Sequence, residues 1–220
     1  YDRSRLIADM SKITTLRRLG LGSLDPSLMT EEFLQRICNV PSLLRHFHLS
    51  LQSGCSSVLA RMRRKYNAAK AMEYIEKIRK FFPDAMISAD IIVGFPGESE
   101  ADFEETAEFC QKADFLNLHI FPYSRRDGTE AASMDGQISD TEKKRRAAEL
   151  ERIHSSARTG LMKRYAKRTD PVYVLFEQSK NGVLTGHSEH YVELAVNGPE
   201  DLVGKICPVI PYPDGTGRIV

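Results

Sequence analysis

The sequence contains no tryptophan and only four cysteines, Cys38, Cys55, Cys110 and Cys207, in 220 residues. None stands within metal-ligand spacing of another, so no CxxC or CxxxCxxC cluster is present and the expected metal ligand set is none. A disulfide framework would be unusual in a chain this long with so few cysteines, which predicts idle thiols in a reducing, cytoplasmic setting. Long apolar runs are missing too. The best, residues 85–95, is interrupted by Asp90 and is too short to span a membrane, so no membrane partner is expected. The first five residues carry no signal-peptide pattern and read as the opening of a helix. With no initiator Met, the chain reads as a piece of a longer protein.

Charge of one sign is also lacking overall, with 31 Lys and Arg against 30 Asp and Glu, but its distribution is uneven. Residues 97–111 hold six acids and no base, whereas residues 139–168 hold ten bases and four acids. The basic block is the candidate surface for a polyanion; the competing reading is a solvated helix face.

Four short apolar runs predict strands at residues 16–21, 47–51, 86–93 and 115–121, each ending at a polar or Gly-rich cluster. Near-continuous apolar strands suit a buried parallel sheet. Between them, Thr30 and the pair Ser99/Asp102 mark helix starts, and Ala68, Met72, Ile75, Ile78 and Phe82 mark one helix face. Alternation of this kind implies an α/β fold with the chemistry at the rim of strand C-termini.

The tail differs. Ser139 and Glu142 predict a capping box ahead of a helix with the apolar stripe Leu150, Ile153, Ala157, Leu161 and Tyr165. Beyond Pro171 come short strands separated by Lys180-Asn181-Gly182 and Asn197-Gly198-Pro199, the turn chemistry of a small β-barrel. The expected division is 1–138 for the α/β part, 139–167 for a basic connecting helix and 168–220 for the barrel.

Gly94-Phe95-Pro96-Gly97-Glu98 follows a buried strand without the Lys of a Walker loop or the third Gly of a dinucleotide fingerprint. It offers either a backbone that a flat ligand can approach or a plain strand-to-helix turn. His46 and His48 share one strand face, and His187 and His190 form a second pair, but neither comes with a third ligand at metal spacing. Arg63-Arg64 and Tyr123-Ser124-Arg125-Arg126 follow strand ends, where they could grip a carboxylate, phosphate or base.

Taken in order, Arg18 to Pro26, His46-Phe47-His48-Leu49-Ser50-Leu51-Gln52-Ser53-Gly54-Cys55, Met62 to Tyr66, Asp90 to Glu98 and Tyr123 to Thr129 resemble the methylthiotransferase branch of radical S-adenosylmethionine enzymes. The resemblance covers essentially the whole chain. It implies a partial (β/α) TIM-like radical SAM barrel followed by a small OB-like TRAM barrel. Within the branch, the His46–Cys55 and Tyr123–Arg126 phrases look most like the enzymes acting on N6-threonylcarbamoyladenosine at tRNA position 37, with the isopentenyladenosine enzymes as the close alternative.

The reaction implied is insertion of a methylthio group at C2 of that adenosine. It uses S-adenosylmethionine and two [4Fe-4S] clusters, none ligated by these residues. By family position, Gly94, Phe95, Gly97 and Glu98 match the motif flanking the cofactor's adenine, and Gln52 and Ser53 match the ribose or amino-acid end. Arg64 is a candidate for the methionyl carboxylate. The expected RNA contacts are Tyr123, Arg145, Arg146, Lys163 and Arg164, facing the tRNA anticodon loop. No catalytic residue is assigned. The chain is expected to be a C-terminal portion, inactive without an N-terminal cluster-bearing region; a non-enzymatic RNA-binding module is the alternative class.

Overall fold

His46, His48 and Ser50 alternate with Phe47, Leu49 and Leu51, and this period of two decides which way the first strand faces. The computed structural model describes residues 3–220; Tyr1 and Asp2, read above as the start of the first helix, lie outside the described residues. In chain order the first part comprises α1 (Arg3–Met10), α2 (Glu31–Ile37), β1 (His46–Gln52), α3 (Ser56–Arg61), α4 (Ala68–Phe81), β2 (Met86–Val93), α5 (Glu100–Ala113), β3 (Asn117–Pro122) and α6 (Glu130–Ser133). The long α7 (Asp140–Tyr165) follows, then β4 (Val172–Lys180), β5 (Val183–Ser188), β6 (Glu193–Asn197), β7 (Ile206–Pro211) and β8 (Thr216–Ile219).

β1, β2 and β3 form a parallel sheet in that order. One face, with Phe47, Leu49, Leu51, Ile87, Ala89, Ile91 and Val93, is buried against Ala71, Ile75 and Ile78 of α4 and Phe103 and Phe109 of α5. Each large side chain buried there stabilises the fold by roughly 1.5–3 kcal/mol. The other face is polar: His46, His48, Ser88, Asp90, Asn117 and His119 line a cavity of about 450 Å³.

The strand expected at residues 16–21 does not form. That segment makes a single isolated parallel bridge, Leu19 with Leu43, and a second, Leu24 with Leu49 of β1, follows just beyond it. Gly20, Gly22 and Ser23 bring no apolar side chains to pack, so it skirts β1 without building a ladder. The sheet therefore has three strands among the described residues, not four.

The caps follow the sequence closely. Thr30 and Asn67 accept from Phe33 and Lys70 amides, and Ser99 with Asp102 closes a reciprocal capping box. At α7, Ser139 accepts from the Glu142 amide, but the Glu142 carboxylate turns to Arg145 and Arg146 instead of closing the box.

β4, β5, β6, β8 and β7 close into a five-stranded barrel in that order. The β4–β5 hairpin turns at Asn181 and Gly182, both at positive φ (54° and 79°), as a two-residue turn between right-twisted strands requires. The barrel core continues into the first part: Leu161, Met162 and Tyr165 of α7 pack with Met86, Leu116, Val172, Phe176 and Val209. Tyr191 of the β5–β6 connection stacks between His46 of β1 (4.5 Å) and His187 (4.6 Å), closing one end of the polar cavity. No helix of the described residues is long and apolar enough to cross a membrane.

Candidate binding site at the strand ends

At the C-terminal rim of the sheet lies an open cavity of about 460 Å³, walled by Gln52, Asp90, Ile92, Phe121, Tyr123, Ser124, Arg126 and Thr129 among others. Its size suits a nucleoside-sized ligand. Parallel strands put it there, since each strand ends at the same edge and passes into a loop. Gln52 sits at an irregularity of β1 with φ of 76°, a conformation a residue with a Cβ adopts only at a cost. Ile92 and Phe121 give an apolar floor, with Phe121 half exposed. The Tyr123 hydroxyl is buried without a hydrogen-bond partner, and its ring meets Phe95 edge-on at 5.3 Å. Arg126 is exposed and makes no ion pair among the described residues. An apolar floor, an orphaned hydroxyl and an unpaired guanidinium fit a nucleoside bearing a carboxylate.

The residues expected to hold the cofactor are distributed differently from that expectation. Gln52 lines the cavity. Ser53 is fully buried, with its hydroxyl engaged by Thr106 and the Cys55 amide. Gly94 and Gly97 both have positive φ (73° and 75°), which explains the glycines, but neither offers an open cradle. A Cβ on Gly94 would collide with the Lys143 methylenes, and the Gly97 amide donates to the Gly136 carbonyl at 2.9 Å while Arg61 covers its other side. Glu98 is buried and accepts from the Gly94 amide (2.5 Å) and from Arg146 (2.8 Å). The strand-end turn is thus closed over and does not line the cavity; it reaches it only through the edge-on contact of Phe95 with Tyr123. Arg64 lies away from it, 3.7 Å from Asp25.

The basic block of α7 is divided between the surface and the interior: Lys144, Arg145, Lys163 and Arg164 are exposed, whereas Lys143 and Arg146 are buried. Arg145 pairs with Glu100, Glu142 and Glu149, and Arg164 with Asp114. Arg146 is buried against Glu98, and the buried Lys143 pairs with Asp140. The acidic stretch on α5 and the basic start of α7 neutralise each other, because α7 packs along α5. Lys163 and Lys144 remain exposed without an ion pair among the described residues, and Lys144 lines a groove with Tyr123, Ser124 and Arg125.

Among the described residues no three cysteines come together, so no thiolate set here fits an iron–sulfur cluster. Sequence spacing did overlook one cluster of potential ligands. His48, Asp90 and His119 meet on the polar sheet face, one from each strand, where pairing across the sheet and not proximity in sequence brings them together.

The model of the radical SAM superfamily matches residues 4–110. The chain is 31% identical over 232 residues to threonylcarbamoyladenosine tRNA methylthiotransferase MtaB of Bacillus subtilis (strain 168), covering 100% of this chain and 51% of that protein. It is 38% identical over 209 residues to tRNA-2-methylthio-N(6)-dimethylallyladenosine synthase of Sulfurovum sp. (strain NBC37-1), covering 94% and 48%. The chain spans about half the length of the curated relatives it matches. Among solved structures, coproporphyrinogen III oxidase (HemN) from Escherichia coli, a radical SAM enzyme, superposes with a TM-score of 0.58 over 84% of this chain and 51% of that one, at 11% identity. That likeness concerns the fold, with its parallel sheet. A radical SAM sheet, joined to a match with tRNA methylthiotransferases along the whole chain, makes this chain a member of the radical SAM methylthiotransferase family.

Proposed function

We propose that the chain is the rim- and RNA-facing part of a cytoplasmic tRNA methylthiotransferase acting at C2 of N6-threonylcarbamoyladenosine at position 37, in the anticodon loop. The observation that carries the choice of substrate is the polar sheet face. Asp90 belongs to both cavities, so a substituent reaching inward from the rim meets His48, Asp90 and His119. Those groups suit the hydroxyl and amide of a threonylcarbamoyl group, and its carboxylate at the imidazoles, whereas a hydrocarbon prenyl group would strip them of water and offer no hydrogen bond in return. The isopentenyl reading is favoured by a different feature, the apolar patch of Ile92, Phe121 and Ala131.

In this reading S-adenosylmethionine, when bound with a [4Fe-4S] cluster, supplies the radical chemistry of the family. The cluster thiolates would come from an N-terminal region outside these 220 residues, and the chain alone would be inactive. Gln52, Tyr123 and Arg126 would hold the adenosyl group and its carboxylate. Phe95 would brace the Tyr123 ring, while Ser53, Gly94, Gly97 and Glu98 would hold the strand ends in shape. The five-stranded barrel would serve as the TRAM domain, and Lys144, Lys163 and Tyr123 would meet RNA.

Expressing the intact gene in a host lacking both methylthiotransferases, followed by mass spectrometry of tRNA nucleosides, tests this. The 2-methylthio derivative of threonylcarbamoyladenosine is expected. Only the isopentenyladenosine derivative would transfer the assignment to the second substrate. Neither product, with RNA binding retained, would leave an RNA-binding module.

A further inference from the structure

Three neighbouring strands each aim one metal-competent side chain at the same point of the polar sheet face. His48 of β1 and His119 of β3 flank Asp90 of β2, with His48 Nε2 2.8 Å and His119 Nδ1 3.3 Å from the same oxygen, Asp90 Oδ1. The three ligand atoms all lie within 4.8 Å of one another, and the imidazole centroids are 4.8 Å apart. Donors bound at about 2.0–2.2 Å to one tetrahedral ion stand roughly 3.3–3.6 Å from each other, so a small opening of the His48–Asp90 pair and an inward movement of the half-exposed His119 complete the geometry. Ser23 Oγ lies 3.3 Å from Asp90 Oδ2 and can orient the carboxylate from behind.

We propose that His48, Asp90 and His119 bind a divalent first-row transition ion, with zinc as the reference metal. Two imidazoles and one carboxylate are a donor set suited to such ions and leave coordination positions open. Those positions face the polar cavity, where a carboxylate or carbonyl oxygen of a ligand would complete the coordination sphere. His46 is not a ligand, because it is bonded to Ser88 at 2.9 Å and stacked beneath Tyr191. The competing account is that both imidazoles only hydrogen-bond to Asp90. The proposal stands on this cluster alone and does not depend on the substrate assigned above.

Equilibrium dialysis of the 220-residue chain against Zn²⁺, with Co²⁺ absorption reporting coordination, decides between them. One equivalent of Zn²⁺ and a Co²⁺ spectrum of tetrahedral or five-coordinate type are expected. His119→Gln, at a half-exposed position that folding tolerates, should weaken binding by more than about tenfold, and Asp90→Asn should do the same. His187→Gln, which removes a histidine paired with Glu177 elsewhere, should change nothing. Circular dichroism of each variant confirms that it is folded. Absent binding, affinity unchanged from the parent in His119→Gln and Asp90→Asn, or loss only in His187→Gln would overturn the proposal.

Discussion

Arg146 Nη1 donates to Glu98 twice, to the carboxylate at 2.8 Å and to the backbone carbonyl at 2.9 Å, with both side chains almost wholly buried. The same carboxylate accepts the Gly94 amide, so the arginine of α7 clamps the turn that ends β2. Helix and turn become one unit at the end of β2. Arg146→Ala should cost about 3–5 kcal/mol by leaving Glu98 buried without its counter-ion. The double change Arg146→Met with Glu98→Leu should cost much less, since it removes both charges. Urea unfolding midpoints of the two variants measure the difference.

Asp84 joins the sheet to the barrel. It lies 3.0 Å from His190 and 3.6 Å from Arg168, and the hydrogen bond from His190 brings its pKa down to about 2. A carboxylate whose folded pKa is depressed stabilises the fold fully above its unfolded value of about 3.9. That contribution declines as pH falls toward 2, where the folded group takes up its proton. Because Asp84 is 42% exposed, the effect is screened to about 1 kcal/mol or less. Thermal melts should show Asp84→Asn less stable than the parent at pH 6, with the gap closing near pH 2.

RNA affinity should follow the unpaired lysines and not the whole basic block. Replacing Lys144 and Lys163 together by Ala should flatten the log–log salt dependence of anticodon stem-loop binding by about 1–2. Arg145→Ala should leave the slope close to the parent's, since its guanidinium is already held by three carboxylates. Fluorescence anisotropy across a salt series reads both.

Much of the architecture was legible because local rules and packing agree. The alternation in β1, the caps at Thr30 and Ser99 and the Asn181-Gly182 turn each follow from short-range chemistry. The strand at residues 16–21 was overcounted because apolar spacing says nothing of whether a partner edge is available. Site residues were harder for the same reason. Gly94, Gly97 and Glu98 look open in a linear sequence, but Lys143, Arg146 and Gly136 arrive from more than 35 residues away to cover them. Arg126, at a strand end, was legible as a possible grip for an anion, but the triad of His48, Asp90 and His119 owes its standing to neighbours in space, which spacing along one strand cannot reveal.

The central claim is that the rim cavity binds the adenosyl cofactor, and amide NMR of the isotopically labelled chain titrated with S-adenosylmethionine tests it most directly. Weak binding is predicted, with shifts concentrated at Gln52, Ile92, Phe121, Tyr123 and Arg126 and diminished in Arg126→Glu. Shifts confined to the barrel, or none at the rim at saturating cofactor, would contradict it.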